Sequence, residues 1–510
     1  MAGTPVRTVA VLAVILLAMT ANPPAALAIT PPMVDPTMVP DDGPPGPEQP
    51  MRQTGRCRTA IASPQPDITL PAPGHAMLNI TQAWRHSTGN GVRVAVIDSG
   101  VNPDPRLPLL GGGDYVQGGD GLQDCDLHGT VVASIIAAAP QGLPMPPPMP
   151  PSGSRLPANH GPAPDVTAGP AATTRPGDAP VPPDAPAGSI AISPAPDGVV
   201  GVAPHATVIA IRQSSDLFAP VTHSVDDAGS RERAGTVSTL ARSIVHAANL
   251  GASVINVSVT ACLSATDPID QRALGGAVWY AAIVKDSVVV AAAGNEGQDG
   301  CLQNPAFDPL NTKDPRDWRQ VKTVSAPSWF SDFVLSVGAV DTTGAPIRAS
   351  LAGPWVGVAA PGVGIVGLAG ARRGAVNGYA PTRPGESSVP FSGTSFSAAY
   401  VSGVAALVRA KYPELSAHQV IHRIQQTAHN PARGVDNLVG FGLVDPVAAL
   451  TFDVPAGDRV APGAQSRILT PPPAPPSPDH RARTVALLLA GTVAMIALLA
   501  AVTTRGRRAR

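Results

Sequence analysis

From Ile80 to Leu450 the chain alternates short β-branched runs with Ala-rich amphipathic ones, and this alternation restricts the fold more than any other feature. Arg93 to Ile97, Thr207 to Arg212, Ser253 to Val259, Ser287 to Ala292, Phe333 to Val340 and Trp355 to Ala359 have the length and branching of strands. Helices are predicted at His128 to Ala139, Thr236 to Leu250, Pro268 to Lys285, Ser395 to Lys411 and Ser416 to Thr427. Apolar strands separated by helices build a mainly parallel sheet covered on both faces, so the expected class is a three-layer α/β fold. Such sheets bind ligands at the carboxyl ends of their strands.

Three stretches interrupt the alternation, and proline accounts for them. The chain has 60 Pro in 510 residues, more than twice the usual share, and most must sit outside packed elements. Residues 29–79 form a Pro-rich N-terminal extension with little periodicity. Residues 140–196, about a third proline, read as an insert that favours extended polyproline segments over a packed subdomain. Residues 451–483 read as a linker, which leaves 80–450 as the folded domain around the insert. With 35 basic and 36 acidic side chains the net charge is -1, so there is no basic field and no nucleic-acid partner is expected.

The two ends set the compartment. Arg7 precedes the apolar run Thr8 to Met19, and Ala26-Leu27-Ala28 supplies the small residues that a signal peptidase needs before Ile29, so residues 1–28 read as a secretory signal. Residues 484–504 are uncharged and strongly apolar, about 31 Å as a helix, and are expected to cross a membrane once. Arg505, Arg507, Arg508 and Arg510 follow in a cytoplasmic tail, 505–510, against Arg481 and Arg483 before the span. The bulk of the chain is then expected on the extracytoplasmic side of the plasma membrane. Cys57, Cys125, Cys262 and Cys301 suit that oxidising compartment as disulfides. Of three possible pairings, Cys57 with Cys125 and Cys262 with Cys301 is the one expected, each loop worth about 4 kcal/mol by chain entropy. No two cysteines have the short spacing of a zinc site, and neither a metal nor another cofactor is expected.

Four motifs carry chemistry. Asp98 closes Val94-Ala95-Val96-Ile97-Asp98-Ser99-Gly100, where a strand delivers a carboxylate to the sheet's carboxyl edge, although Asp there also serves as a helix cap or metal ligand. His128 opens His128-Gly129-Thr130-Val131-Val132-Ala133, and Gly129 leaves room for close approach. At a helix start the dipole disfavours an imidazolium, so a carboxylate is needed nearby to stabilise one. Phe391-Ser392-Gly393-Thr394-Ser395-Phe396-Ser397-Ala398-Ala399 sets Ser395 at the head of a helix, facing backbone N–H groups, where Ser395 or Thr394 equally serves as an N-cap. Ala293-Gly294-Asn295-Glu296-Gly297 offers a side-chain amide on a Gly-bounded turn, which is also ordinary turn chemistry. Their co-occurrence in the order Asp, His, Asn, Ser is what separates them from these bland readings.

In that order the sequence resembles the subtilisin-like serine proteases, over about Thr81 to Leu450 without the insert. The resemblance implies a subtilisin-like fold with Ser395 as nucleophile, His128 as general base and acid, Asp98 orienting His128, and Asn295 completing an oxyanion hole. It also implies that Ser258, Val259, Thr260, Ala293 and Gly294 line a groove in which peptide substrate pairs as an added strand. Thr260 stands where that segment usually has glycine, and Ala399 where many subtilases have proline. Within this family the chain is most similar to the mycosins, membrane-anchored subtilases of type VII secretion systems. That similarity rests on the signal, the Pro-rich arm and insert, Asn304-Pro305, Asp314-Pro315-Arg316-Asp317-Trp318, Trp329-Phe330-Ser331-Asp332 and the C-terminal apolar run. It implies exported protein substrates, partners in the secretion membrane complex, and an extension that wraps the catalytic domain. The alternative is a structural cap of the secretion channel that needs little proteolysis. An α/β-hydrolase esterase fits poorly, because Gly393-Thr394-Ser395-Phe396-Ser397 lacks the second glycine of a nucleophile elbow and the acid and His come in the wrong order.

Overall fold

Seven parallel strands make the central sheet: β1 (Arg93–Asp98), β2 (Leu109–Asp114), β3 (Thr207–Arg212), β4 (Val254–Val257), β5 (Val288–Ala292), β6 (Val334–Val340) and β7 (Val356–Pro361). Their order across the sheet is β7-β6-β5-β4-β1-β3-β2. This computed structural model describes residues 29–150, 196–221, 234–464 and 481–508, with short gaps at 267–269, 299, 307–309, 311–313, 315, 371–373 and 433. The signal expected at 1–28 and residues 151–195 of the insert lie outside the described residues.

Every residue of β4 to β7 is buried, which is why these strands read as continuous apolar runs and not as alternating ones. Along β1 the side chains alternate between two cores: Val94 and Val96 face one, Ala95 and Ile97 the other. The first core holds helices α1 (His128–Ala137), α4 (Thr394–Lys411) and α5 (Ala417–Gln426); the second holds α2 (Val237–Asn249) and α3 (Arg272–Trp279). Helix α4 is buried along its whole length except Lys411, and its many Ala, Ser and Gly residues let it lie close on the sheet.

Within the sheet and its covering helices, one strand and one helix depart from expectation. Strand β2 was not foreseen, because Gly111, Gly112 and Gly113 are poor strand formers. Here glycine is required, since a Cβ at Gly112 would crowd Ile209 and Ile211 of β3, and Gly113, at φ +107°, sits where the pairing register shifts. The helix expected from Pro268 starts only at Arg272, whose amide donates to Asp270, and it ends in one wider π-type turn, Tyr280–Val284.

The N-terminal extension is ordered by partners outside itself. Met51–Gln53 pairs antiparallel with Phe218–Pro220, and Ala60–Ile61 with Gly378–Tyr379. His246 Nδ1 lies 2.7 Å from Asp42, and Pro45 covers Gly113 on the sheet's edge strand. Disulfides join Cys57 to Cys125 and Cys262 to Cys301, the pairing expected from the sequence. Residues 466–510 form a separate unit whose described part is helix α6 (Arg481–Arg508). Among the described residues no helix is long and apolar enough to cross a membrane, the described side chains of α6 running only from Val485 to Ala501.

Candidate active site

Strands β1 and β4 are neighbours from which the chain departs to opposite sides of the sheet, and β1 ends on Asp98 while β4 runs on to Ser258, Val259 and Thr260. This is the switch point at which open α/β sheets hold ligands. Asp98 is fully buried. Its Oδ1 accepts from the Ser99 amide at 2.6 Å and the Ser99 hydroxyl at 3.1 Å, and lies 2.8 Å from His128 Nδ1. Asp98 therefore fixes the imidazole proton on Nδ1 and leaves Nε2 as the acceptor.

His128 begins α1 directly after Leu127, which turns the chain at φ +63°. The close approach of α1 to β1 depends on Gly129, because a Cβ there would run into the Gly100 carbonyl and lie 3.0 Å from Asp98 Oδ1. Burial disfavours the charged imidazole of His128. The negative charge of Asp98, the hydrogen bond to it and the charges of Asp124 and Asp216 outweigh burial, and the pKa is held above its ordinary value of 6.5.

Ser395 is the second residue of α4 and is 7% exposed. Its Oγ donates to the Ser258 carbonyl at 3.0 Å, and the Ser258 hydroxyl donates back to the Ser395 carbonyl at 3.3 Å. Among the described residues no hydrogen bond joins Ser395 to His128, whose ring centre lies 5.1 Å from that of Phe396, the next residue of α4, with the two planes tilted by 42°. Gly393 caps α4 at φ +145°, a conformation that other residues rarely adopt.

The amide of Asn295, just beyond β5, sits beside the head of α4. Its Oδ1 accepts from the Thr394 amide at 3.0 Å and the Thr394 hydroxyl at 3.3 Å, while Nδ2 donates to Gln298 Oε1 at 3.1 Å. The other predicted groove residues separate into two kinds. Val259 and Thr260 are half-buried at the end of β4. Ala293 and Gly294 are buried, with their amides directed inward to the Val337 carbonyl at 3.0 Å and the Thr394 hydroxyl at 3.2 Å.

A polar layer beneath Asp98 was not foreseen. The Ser99 hydroxyl lies 2.9 Å from Asp124 Oδ1, and Asp124 Oδ2 accepts from the Thr130 amide at 2.8 Å and the Thr130 hydroxyl at 2.6 Å. Burial pushes the Asp124 carboxyl up to about 7, the Thr130 bonds oppose the shift, and Asp98 and Asp126 add to it. In one dimension nothing distinguishes Asp124 from Asp120 or Asp126 in the same segment. The Asn304 and Asp314 motifs, in turn, stitch loops together. Asn304 makes four hydrogen bonds to backbone groups of Lys322, Thr323 and Ala352, and Asp314 accepts from the amides of Trp318 and Arg319. Among the described residues no group of three or more His, Cys, Asp or Glu side chains is placed to hold a metal ion.

Comparison with known proteins finds relatives over nearly the whole chain. The Subtilase family profile matches residues 184–442, a span that includes Asn295 and Ser395. Mycosin-2 of Mycobacterium tuberculosis is 58% identical over 98% of this chain and 97% of its own length. The crystal structure of MycP1 from the ESX-1 type VII secretion system superposes with a TM-score of 0.71 at 40% identity, covering 85% of this chain and all of that one. A chain in the structure of an intact ESX-5 inner membrane complex gives a TM-score of 0.70 at 46% identity, covering 93% of this chain and all of that one.

Proposed function

The chain belongs to the subtilase family of serine endopeptidases and within it to the mycosins, and we propose that it is a membrane-anchored protease of a type VII secretion pathway that cleaves exported proteins. The observation that carries the catalytic reading is the 2.8 Å contact between His128 Nδ1 and the buried Asp98. With its proton fixed on Nδ1, His128 presents Nε2 to take the Ser395 proton as Oγ attacks the scissile carbonyl, and returns that proton to the leaving amine. For this, the hydroxyl must first exchange its bond to the Ser258 carbonyl for one to His128 Nε2 as substrate enters. The oxyanion of the tetrahedral intermediate is met by Asn295 Nδ2 and by backbone N–H groups at the head of α4, and the positive end of the helix reinforces them. Val259 and Thr260 offer a strand edge for the substrate backbone, and the Thr260 side chain narrows the groove where a glycine would leave it open.

Export and anchoring are supported by the leader-like residues 1–28 and by the uncharged apolar run 484–504, which falls within helix α6. A second reading, a structural part of the secretion complex, is favoured by the likeness to chains of the ESX-5 inner membrane assemblies. Ser395→Ala separates the two. The catalytic reading expects loss of peptide hydrolysis with the melting temperature unchanged, and normal hydrolysis by this variant removes Ser395 from the site. Secretion restored in a deletion strain by the Ser395→Ala chain assigns the essential role to the scaffold.

A further inference from the structure

We propose that Gln298 is a positioning residue for the Asn295 amide and thereby sets the rate of the chemical step; this rests on the reading of Asn295 as an oxyanion donor. Both ends of the Asn295 amide are engaged. The Thr394 backbone N–H can only donate, so the atom 3.0 Å from it must be the carbonyl oxygen, and the NH2 group is turned to the opposite side. There Gln298 Oε1 accepts one of its hydrogens at 3.1 Å. The NH2 carries two hydrogens, so one holds the orientation and one is left for the reacting oxygen.

Gln298 is itself placed by a short closed turn. Its amide donates to the Asn295 carbonyl at 3.2 Å, its carbonyl accepts from the Cys301 amide at 2.8 Å, and the Gly297 amide donates to the Cys301 carbonyl at 3.0 Å. Cys301 is bonded to Cys262, in the strand Ala261–Ser264 that follows Thr260 directly. The disulfide thus ties the turn bearing Asn295 and Gln298 to the segment that follows β4. An oxyanion donor works because it is oriented before charge develops, and an amide held at one end only loses part of that advantage.

The test uses full-length protein in detergent and a serine-directed fluorophosphonate, whose phosphonyl oxygen takes the oxyanion position. Labelling rates are measured across probe concentrations for wild type, Gln298→Ala, Asn295→Ala and the double variant. Gln298→Ala is expected to slow the limiting labelling rate about 3- to 10-fold, the share of one modest hydrogen bond, with the half-saturating probe concentration unchanged. The double variant should be no slower than Asn295→Ala alone. An unchanged or faster rate for Gln298→Ala, a raised half-saturating concentration with the limiting rate unchanged, or a loss that multiplies with that of Asn295→Ala overturns the proposal. Wild type that takes no label refutes the catalytic reading beneath it instead.

Discussion

Arg106 grips Asp197 with two parallel hydrogen bonds, Nη1 to Oδ2 at 2.7 Å and Nη2 to Oδ1 at 3.0 Å. Arg106 Nε also donates to the carbonyl of Ala139 at 2.9 Å. Ala139 immediately precedes the Pro-rich insert and Asp197 immediately follows it, so one guanidinium closes both of its roots. Both side chains are nearly buried, at 11% and 7% exposure, and a forked Arg–carboxylate pair in that setting is a strong and directional contact.

The domain should therefore tolerate loss of the insert while depending on its clasp. Replacing residues 151–195 by a short Gly/Ser linker is expected to leave the melting temperature and small-peptide hydrolysis largely unchanged. Arg106→Ala, which leaves the Asp197 carboxylate buried without its partner, should destabilise by about 3–5 kcal/mol. Denaturant unfolding of both variants checks this. An unfolded excision variant would make the insert part of the core.

A second prediction concerns the extension. Cys57 and Cys125 are separated by 68 positions, and closing a loop of that length constrains the unfolded chain by about 4 kcal/mol. Replacing both cysteines by serine should lower the melting temperature and expose the extension to proteolysis. Because Cys125 adjoins Asp124 beneath Asp98, hydrolysis should fall as well. Non-reducing peptide mapping should recover Cys57 with Cys125 and Cys262 with Cys301, and any other pairing contradicts the account.

The third prediction is the pH dependence. His128 must be neutral to act as base, and its pKa is raised above 6.5, so the acid limb of kcat/KM should have its midpoint above 6.5. For stability the sign is opposite. The raised pKa contributes stability that is complete below 6.5 and is lost as pH rises through the folded-state value. Asp124, itself pushed up to about 7, carries only part of a negative charge over this range, so Asp124→Asn should move the acid limb to lower pH by a small amount. A limb that stays in place or moves upward would show that Asp124 does not act on His128.

Much of this site was legible because its parts lie at strand ends and helix starts, places that sequence pattern locates well. Asp98, His128, Asn295 and Ser395 fall on four such junctions, and six of the seven sheet strands announce themselves by β-branched runs. Strand β2 did not, because its glycines answer to neighbours, Ile209, Ile211 and Pro45, that are far away in sequence. The same cause hid the Asp124 to Ser99 contact, which spans 25 positions. The extension looked structureless for a related reason. Its short strands complete pairs whose other halves, Phe218–Pro220 and Gly378–Tyr379, belong to distant parts of the chain.

The most direct measurement is fluorophosphonate labelling of the full-length protein followed by peptide mass spectrometry. The account predicts one phosphonyl group per chain, on the peptide that carries Ser395, and no labelling of Ser395→Ala or of protein unfolded beforehand. Label on another serine, or none on wild type, would contradict the claim that Asp98, His128 and Ser395 form a working protease site.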